Sequence, residues 1–187
     1  MRLITALILS PMIAAPVASA TEAGLEASGS MGEWRTATKD DADTTSRCYT
    51  NQIDPICLVD AYLLCKLRLD KAICDSIGKA PGQNVDFFLT WKDYRKKYET
   101  HLNRYRYRVI FFRGPYREVP FISMPWEEWQ FGETGNHVIG IEYIDCFTPP
   151  SKSEESCAAE PGLQLFLALQ RVGHRWLYVD SYEPKVD

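Results

Sequence analysis

The sequence predicts an α+β domain, disulfide-stapled, in which N-terminal helices pack on a curved antiparallel sheet. Three observations carry this expectation. Apolar residues recur at three- and four-residue steps between Ile56 and Leu102, the period of an amphipathic helix. After His101 the pattern turns to alternation, the period of a strand. Six cysteines, an even set, stand in a chain that opens on an export signal, the setting in which thiols pair. Helices first and strands afterwards is the segregated order of an α+β fold.

Residues 1–20 read as a cleavable signal peptide. Arg2 supplies a positive charge, Leu3 to Leu9 is an apolar run broken by Ser10-Pro11, and Val17-Ala18-Ser19-Ala20 ends in the small-x-small pattern of signal cleavage. That run is shorter than the about 20 apolar residues a membrane span needs, so no integral membrane segment is expected after cleavage. Periplasmic or secreted localisation follows. Cleavage after Ala20 removes one Arg and no acid, leaving 20 basic and 25 acidic side chains and a net charge of −5. Such a balance argues against nucleic acid as a partner. Residues 21–47 are rich in Ala, Ser, Thr, Gly and Asp with Trp34 as their one aromatic, and are expected to be a flexible leader. A single α+β domain is expected over 48–187.

The helices come next. Asp54-Pro55 is an N-cap acid followed by proline at the first helical position, and Ile56, Val59, Leu63, Leu64 and Leu67 then fall on one face. This helix either runs to Ser76 or breaks near Asp70 and restarts, and Gly78 and Pro81-Gly82 end it. Phe87, Trp91, Tyr94, Tyr98 and Leu102 mark a second amphipathic helix. Four cysteines lie in this region. Cys57 and Cys65, eight apart on one helix, would stand about 12 Å apart along its axis, too far to bond. Cys48–Cys57 with Cys65–Cys74 is the preferred pairing, and the other pairings of the four stay open. Cys146–Cys157 would staple the base of the polar loop 147–156. The cysteines lack CxxC spacing and the histidines are scattered, so no metal site is expected.

Among the strands, Tyr105, Tyr107, Val109 and Phe111 share one face, with Arg104, Arg106 and Arg108 on the other. Gly114-Pro115 makes a turn, and Glu118 to Met124 reads as a short returning edge strand between prolines. His137 to Cys146, Leu163 to Val172 and Arg175 to Tyr182 complete the set, the last two joined as a hairpin at Gly173-His174.

This order of elements, over residues 54–183, resembles the cone-shaped α+β fold of the nuclear transport factor two-like superfamily, which includes ketosteroid isomerases and many small exported bacterial domains. The closing hairpin carries the likeness furthest, since Arg175-Trp176-Leu177-Tyr178-Val179-Asp180 looks like that superfamily's last strand. Isomerases of this fold line a cavity with an acid and a tyrosine. The resemblance therefore implies a pocket near Glu142, Asp145 and Asp180, beside Tyr143, Tyr178 and Tyr182, with Glu142 or Asp180 as the candidate catalytic base.

Two further features concern recognition. Arg104, Arg106 and Arg108 form a comb of guanidiniums at steps of about 6.6 Å, suited to an anionic ligand, an acidic partner or cross-strand pairing with Glu118, Glu142 or Asp180. Trp126, Trp129 and Phe131 place large aromatics in a Pro- and Gly-bounded segment, the composition of an interface centre or of a plug for the sheet's open end. His101, His137 and His174 adjoin turns or helix ends and are expected to be solvated. Gly-x-Ser-x-Gly, His-Glu-x-x-His and phosphate-binding glycine loops do not occur, and paired thiols are poor nucleophiles. The leading expectation is an exported, non-enzymatic binding module of the bacterial cell envelope, without a cofactor, acting on an envelope protein or small ligand. An immunity or inhibitor protein is one concrete version. A small isomerase- or hydrolase-like pocket enzyme and a structural envelope component are the alternatives.

Overall fold

The computed structural model describes residues 32–38, 52–98, 102–118, 121–123, 128–130, 134–148, 154–158 and 162–184, with the backbone alone at 38, 94–98, 121–123 and 128–130. Asp54 opens helix α1 (Pro55–Arg68) by accepting a hydrogen bond from the Ile56 N–H at 2.8 Å. The helix ends where Leu69 turns left-handed, at φ 52°, and donates its N–H to the Cys65 carbonyl. Asp70 then caps α2 (Lys71–Ser76) by accepting from the Ala72 and Ile73 amides. Of the two readings of this segment, the break is the one observed. It has a covalent consequence. Nine residues along one helix would separate two Cα atoms by about 13.5 Å, whereas the reversal at Leu69-Asp70 brings Cys65 and Cys74 to 4.8 Å and lets them bond.

Helix α3 spans Phe87–Tyr98, and Asp86 accepts from the Leu89 amide at its start. Leu102, expected on this helix, instead begins a strand and is buried there. Its four-residue spacing from Tyr98 matched a helical face by coincidence of period.

The strands are β1 (Arg35–Thr38), β2 (Leu102–Arg113), β3 (Phe121–Ser123), β4 (Glu128–Gln130), β5 (His137–Phe147), β6 (Ser156–Cys157), β7 (Leu163–Val172) and β8 (Arg175–Tyr182). Six form an antiparallel sheet in the order β1-β2-β5-β7-β8, with β6 also paired to β5. The Gly173-His174 hairpin joins β7 to β8 with Val172 opposite Arg175. Among the described residues β3 and β4 pair only with each other, so Phe121–Ser123, part of the segment 118–124 expected to return as an edge strand, lies in a separate two-stranded ribbon.

Two expectations on the strands are corrected. Residues 35–38, placed in the flexible leader, pair with Arg104–Tyr107 as edge strand β1. A main-chain ladder plus one buried side chain, Ala37, orders them, and a composition argument that weighs only apolar bulk passes over it. On β2, Tyr105, Tyr107 and Val109 are buried as expected, but a register shift between Val109 and Phe111 reverses the alternation. Phe112, not Phe111, continues the inward face.

Inner side chains of the sheet, among them Tyr105, Tyr107, Ile139, Ile141, Leu165, Leu167 and Trp176, share one buried cluster with Leu58, Tyr62, Leu63, Phe87 and Trp91 of the helices. A smaller cluster lies across the sheet, where Val138, Phe166, Ala168 and Val179 pack with Phe111, Tyr116 and Leu177. The free side of β8 is closed by chain from before and after the first two helices. Trp176 N–H donates to the Gln52 carbonyl and Tyr178 N–H to that of Gly78, while Tyr178 accepts from Ala80. Among the described residues, no helix is long and apolar enough to cross a membrane.

Gly140 of β5 shows how closely the second cluster is fitted, since a Cβ there would meet the Phe111 ring at 2.5 Å. Gly140→Ala should therefore destabilise the protein by about 1–3 kcal/mol in urea unfolding. In a Phe111→Ala background most of that cost should vanish, giving a coupling of about 1 kcal/mol or more. Additive effects of the two substitutions would contradict the packing described.

Candidate functional site

On the face opposite the helices, β2 presents the expected row of Arg104, Arg106 and Arg108. The row is partly neutralised from within. Arg108 pairs with Glu142, its cross-strand neighbour on β5, at 2.6 Å from Nη2 and 2.7 Å from Nε. Arg104 pairs with Glu155, which approaches from the loop closed by Cys146–Cys157. Glu118 and Asp180 make no ion pair with the row among the described residues. Arg106 is left without a carboxylate among the described residues, and its guanidinium lies 4.9 Å from the centroid of the Trp34 ring. The same indole lies 4.7 Å from Arg108. Strand β1 is what puts Trp34 there: the residue precedes Arg35, which pairs opposite Tyr107. Cation–π contact with two guanidiniums fixes long side chains that would otherwise be mobile.

Both candidate bases, Glu142 and Asp180, are hydrogen-bonded within the chain. Burial pushes the Glu142 carboxyl upward, but the Gly162 N–H at 2.9 Å and the Arg108 guanidinium outweigh it and hold the group below the usual carboxylate range. Asp180 is half-buried and accepts from the Ser181 amide. Of the aromatic segment, Trp126 and Phe131 lie outside the described residues, and Trp129 is described only as backbone of β4.

The inner face holds a polar group that pattern reading passed over. Lys66 on α1 is only 3% exposed and reaches Glu183, just beyond β8, with its Nζ 3.0 and 3.1 Å from the two carboxylate oxygens. Its third polar contact is the Tyr143 hydroxyl at 3.2 Å. The rings of Trp91, Tyr143 and Tyr105 surround the ammonium, with centroids 4.8, 5.0 and 5.9 Å away. Next to it the Tyr62 hydroxyl donates to Ser181 Oγ at 3.2 Å, and the Tyr178 hydroxyl lies 3.0 Å from that same oxygen. Burial, and then the Glu183 charge, raise the pKa values of Tyr62 and Tyr143, so both phenols stay protonated donors. The sequence signal was faint. A lysine four residues after Tyr62 and one after Cys65, on an otherwise apolar helix, looks like an ordinary solvated side chain.

The cysteines take the expected pairs where they can be seen. Cys65–Cys74 and Cys146–Cys157 are bonded and Cys57 is disulfide-bonded too, while Cys48, its expected partner, lies outside the described residues. Cys146, Glu155 and Cys157 have ligand atoms within 4.8 Å of one another, but two of the three are sulfurs already bonded to each other, which removes them as metal ligands. Comparison of the chain with protein families, curated proteins and solved structures finds no significant match.

His137, expected to be solvated beside a turn, is instead buried. The first residue of β5, it stacks on Phe112 at 5.6 Å and meets Trp176 edge to face at 4.8 Å, and neither ring nitrogen has a hydrogen-bond partner among the described residues. His174 is exposed, and His101 lies outside the described residues. Burial, aided by the Arg171 charge, lowers the His137 pKa to about 4. The folded state thus resists a proton that the unfolded chain accepts near pH 6.5. Stability supplied by the neutral ring is complete above about pH 6.5 and is lost as pH falls towards 4, by about 1–3 kcal/mol in all. His137→Phe should flatten that part of the pH profile of urea unfolding; an unchanged slope between about pH 6.5 and 4 would remove His137 as its source.

Proposed function

We propose that the chain is an exported, non-enzymatic binding module of the bacterial cell envelope, periplasmic or secreted, acting on an envelope protein, with an immunity or inhibitor role as its concrete form. We read its fold as the cone-shaped arrangement of the nuclear transport factor two-like superfamily. The single observation that carries the proposal is Trp34 laid across Arg106 and Arg108, with Arg106 lacking a carboxylate among the described residues. Trp and Arg are the residues most enriched where interfaces concentrate their energy. Holding them in place before binding reduces the entropy lost on association. The row is a local cluster of positive charge on a chain of net charge −4, so it orients an acidic partner rather than attracting anions over the whole surface. The disulfides and the signal-like N-terminus support export. The engagement of Glu142 by Arg108 and Gly162 and of Asp180 by Ser181 weighs against the pocket-enzyme alternative.

The test is capture from envelope extract with immobilised wild-type protein, Arg106→Glu and Trp34→Ala, all checked for folding by circular dichroism. Wild type should retain a defined protein that Arg106→Glu loses by about tenfold or more and Trp34→Ala by several-fold. Equal retention by all three, or none by wild type, would overturn the proposal.

A further inference from the structure

We infer that Glu155 sets the selectivity of the arginine row. By occupying Arg104 it restricts the row to a partner segment that engages Arg106 through a single carboxylate, and it denies a run of acids a second contact.

This deepens the reading of the row as the partner-binding face and rests on it. An extended segment with carboxylates at alternate residues repeats them at steps of about 6.6 Å, the same step as the arginines. A bare row would therefore pair with such a segment at three points and favour any polyanion over a particular partner. The chain prevents this on both sides of Arg106. Arg108 is committed to Glu142, whose side chain is only 9% exposed and which also accepts from the Gly162 amide. Arg104 is more open, with its side chain 38% exposed, and is the second contact a run of acids would use. Glu155 takes it.

The placement of Glu155 is built into the sheet. Arg104 on β2 stands opposite Cys146 on β5, and Cys146 stands opposite Cys157 on β6, so the Cys146–Cys157 bond lies on the face that carries Arg104. Glu155 comes two residues before Cys157, and its carboxylate lies within 4.8 Å of both sulfurs. Just beyond the bond, the Ala158 N–H donates to the Asp145 carbonyl at 2.9 Å and anchors the other end of this short strand. An acid tethered in this way acts at an effective concentration in the millimolar range, so a more dilute external carboxylate leaves the Arg104 pair intact. Arg106 meets no such acid among the described residues, and its guanidinium rests 4.9 Å from the Trp34 centroid. The row thus offers one available cation beside an indole, between two that are neutralised. Refusing multiply charged ligands gives a face specificity without adding affinity.

Two synthetic peptides test this, one with three glutamates separated by threonines, the other with glutamate at its centre and glutamine at the outer two positions. Each is titrated at low salt into the full, oxidised chain and followed by NMR. Wild type should bind the first no more than about threefold more tightly than the second, the statistical advantage of three equivalent acids on one cation. Glu155→Gln should raise affinity for the first by about fivefold, the factor that one partly exposed ion pair supplies, and leave the second within about twofold. Adding Arg104→Gln should remove the gain. Glu154→Gln, which changes the net charge equally at an exposed neighbouring position, should behave as wild type. The inference fails if Glu155→Gln strengthens both peptides alike or neither, or if Glu154→Gln matches it. Arg106→Glu should abolish binding of both peptides; if it leaves both unaltered, the reading of the row as a partner face falls, and this inference with it.

Discussion

Strand β5 has no wet face: from His137 to Ile144 every residue is buried. A strand buried on both sides needs two coverings, and the arrangement around it answers that need. Tyr62, Phe87 and Trp91 of the helices share the core cluster with Ile139, Ile141 and Tyr143. The other side must cover Val138, Gly140, Glu142 and Ile144. Phe111 and Phe166 lie against each other at 5.6 Å over the hollow left by Gly140, and Arg108 closes over Glu142. The irregularity at Val109/Phe111 then becomes intelligible, because it lets two consecutive phenylalanines supply one ring to each side. Without it, Phe111 would turn inward and Gly140 would lose its cover.

Polar groups inside this packing are treated unequally. Lys66 is engaged by Glu183 and Tyr143, Asp60 accepts a hydrogen bond from the Tyr107 hydroxyl, and Glu142 has both of its oxygens occupied. Each of these satisfies the requirement that a buried charge or hydroxyl find a partner. His137 and its neighbour Asn136 do not, for their side-chain nitrogen and oxygen atoms are buried without a partner among the described residues. The imidazole is tolerated because it can remain uncharged between two aromatic faces. Lys66 with Glu183 on one side and His137 on the other are thus polar places of opposite character. One holds an ion pair, and the other a base kept neutral.

Much of the fold was legible because its signals are local. Asp54-Pro55, the alternative break at Asp70, the Gly173-His174 turn and the Cys146–Cys157 staple each depend on residues close in sequence, whose backbone preferences act wherever the rest of the chain goes. What escaped was set by distant partners. β1 exists because β2 offers it a ladder, and β2 lies more than 60 residues away along the chain. Lys66 and His137 carry no mark of burial, since polarity predicts exposure until a particular neighbour, Glu183 or the Phe112–Trp176 pair, changes the balance. The arginine row was visible as a row. Its division into paired and unpaired members was not, because Glu155 and Trp34 come from segments with no periodic relation to β2.

The two bonds seen whole, Cys65–Cys74 and Cys146–Cys157, close intervals of only 9 and 11 residues. Each partner is thus the nearest available thiol or close to it, and its encounter frequency in the reduced chain exceeds that of remote cysteines. One bond is set by a helix reversal and the other by a two-residue strand lying directly across from Cys146. Oxidation of these four cysteines can therefore proceed piecewise as each segment takes shape, with little recourse to disulfide reshuffling.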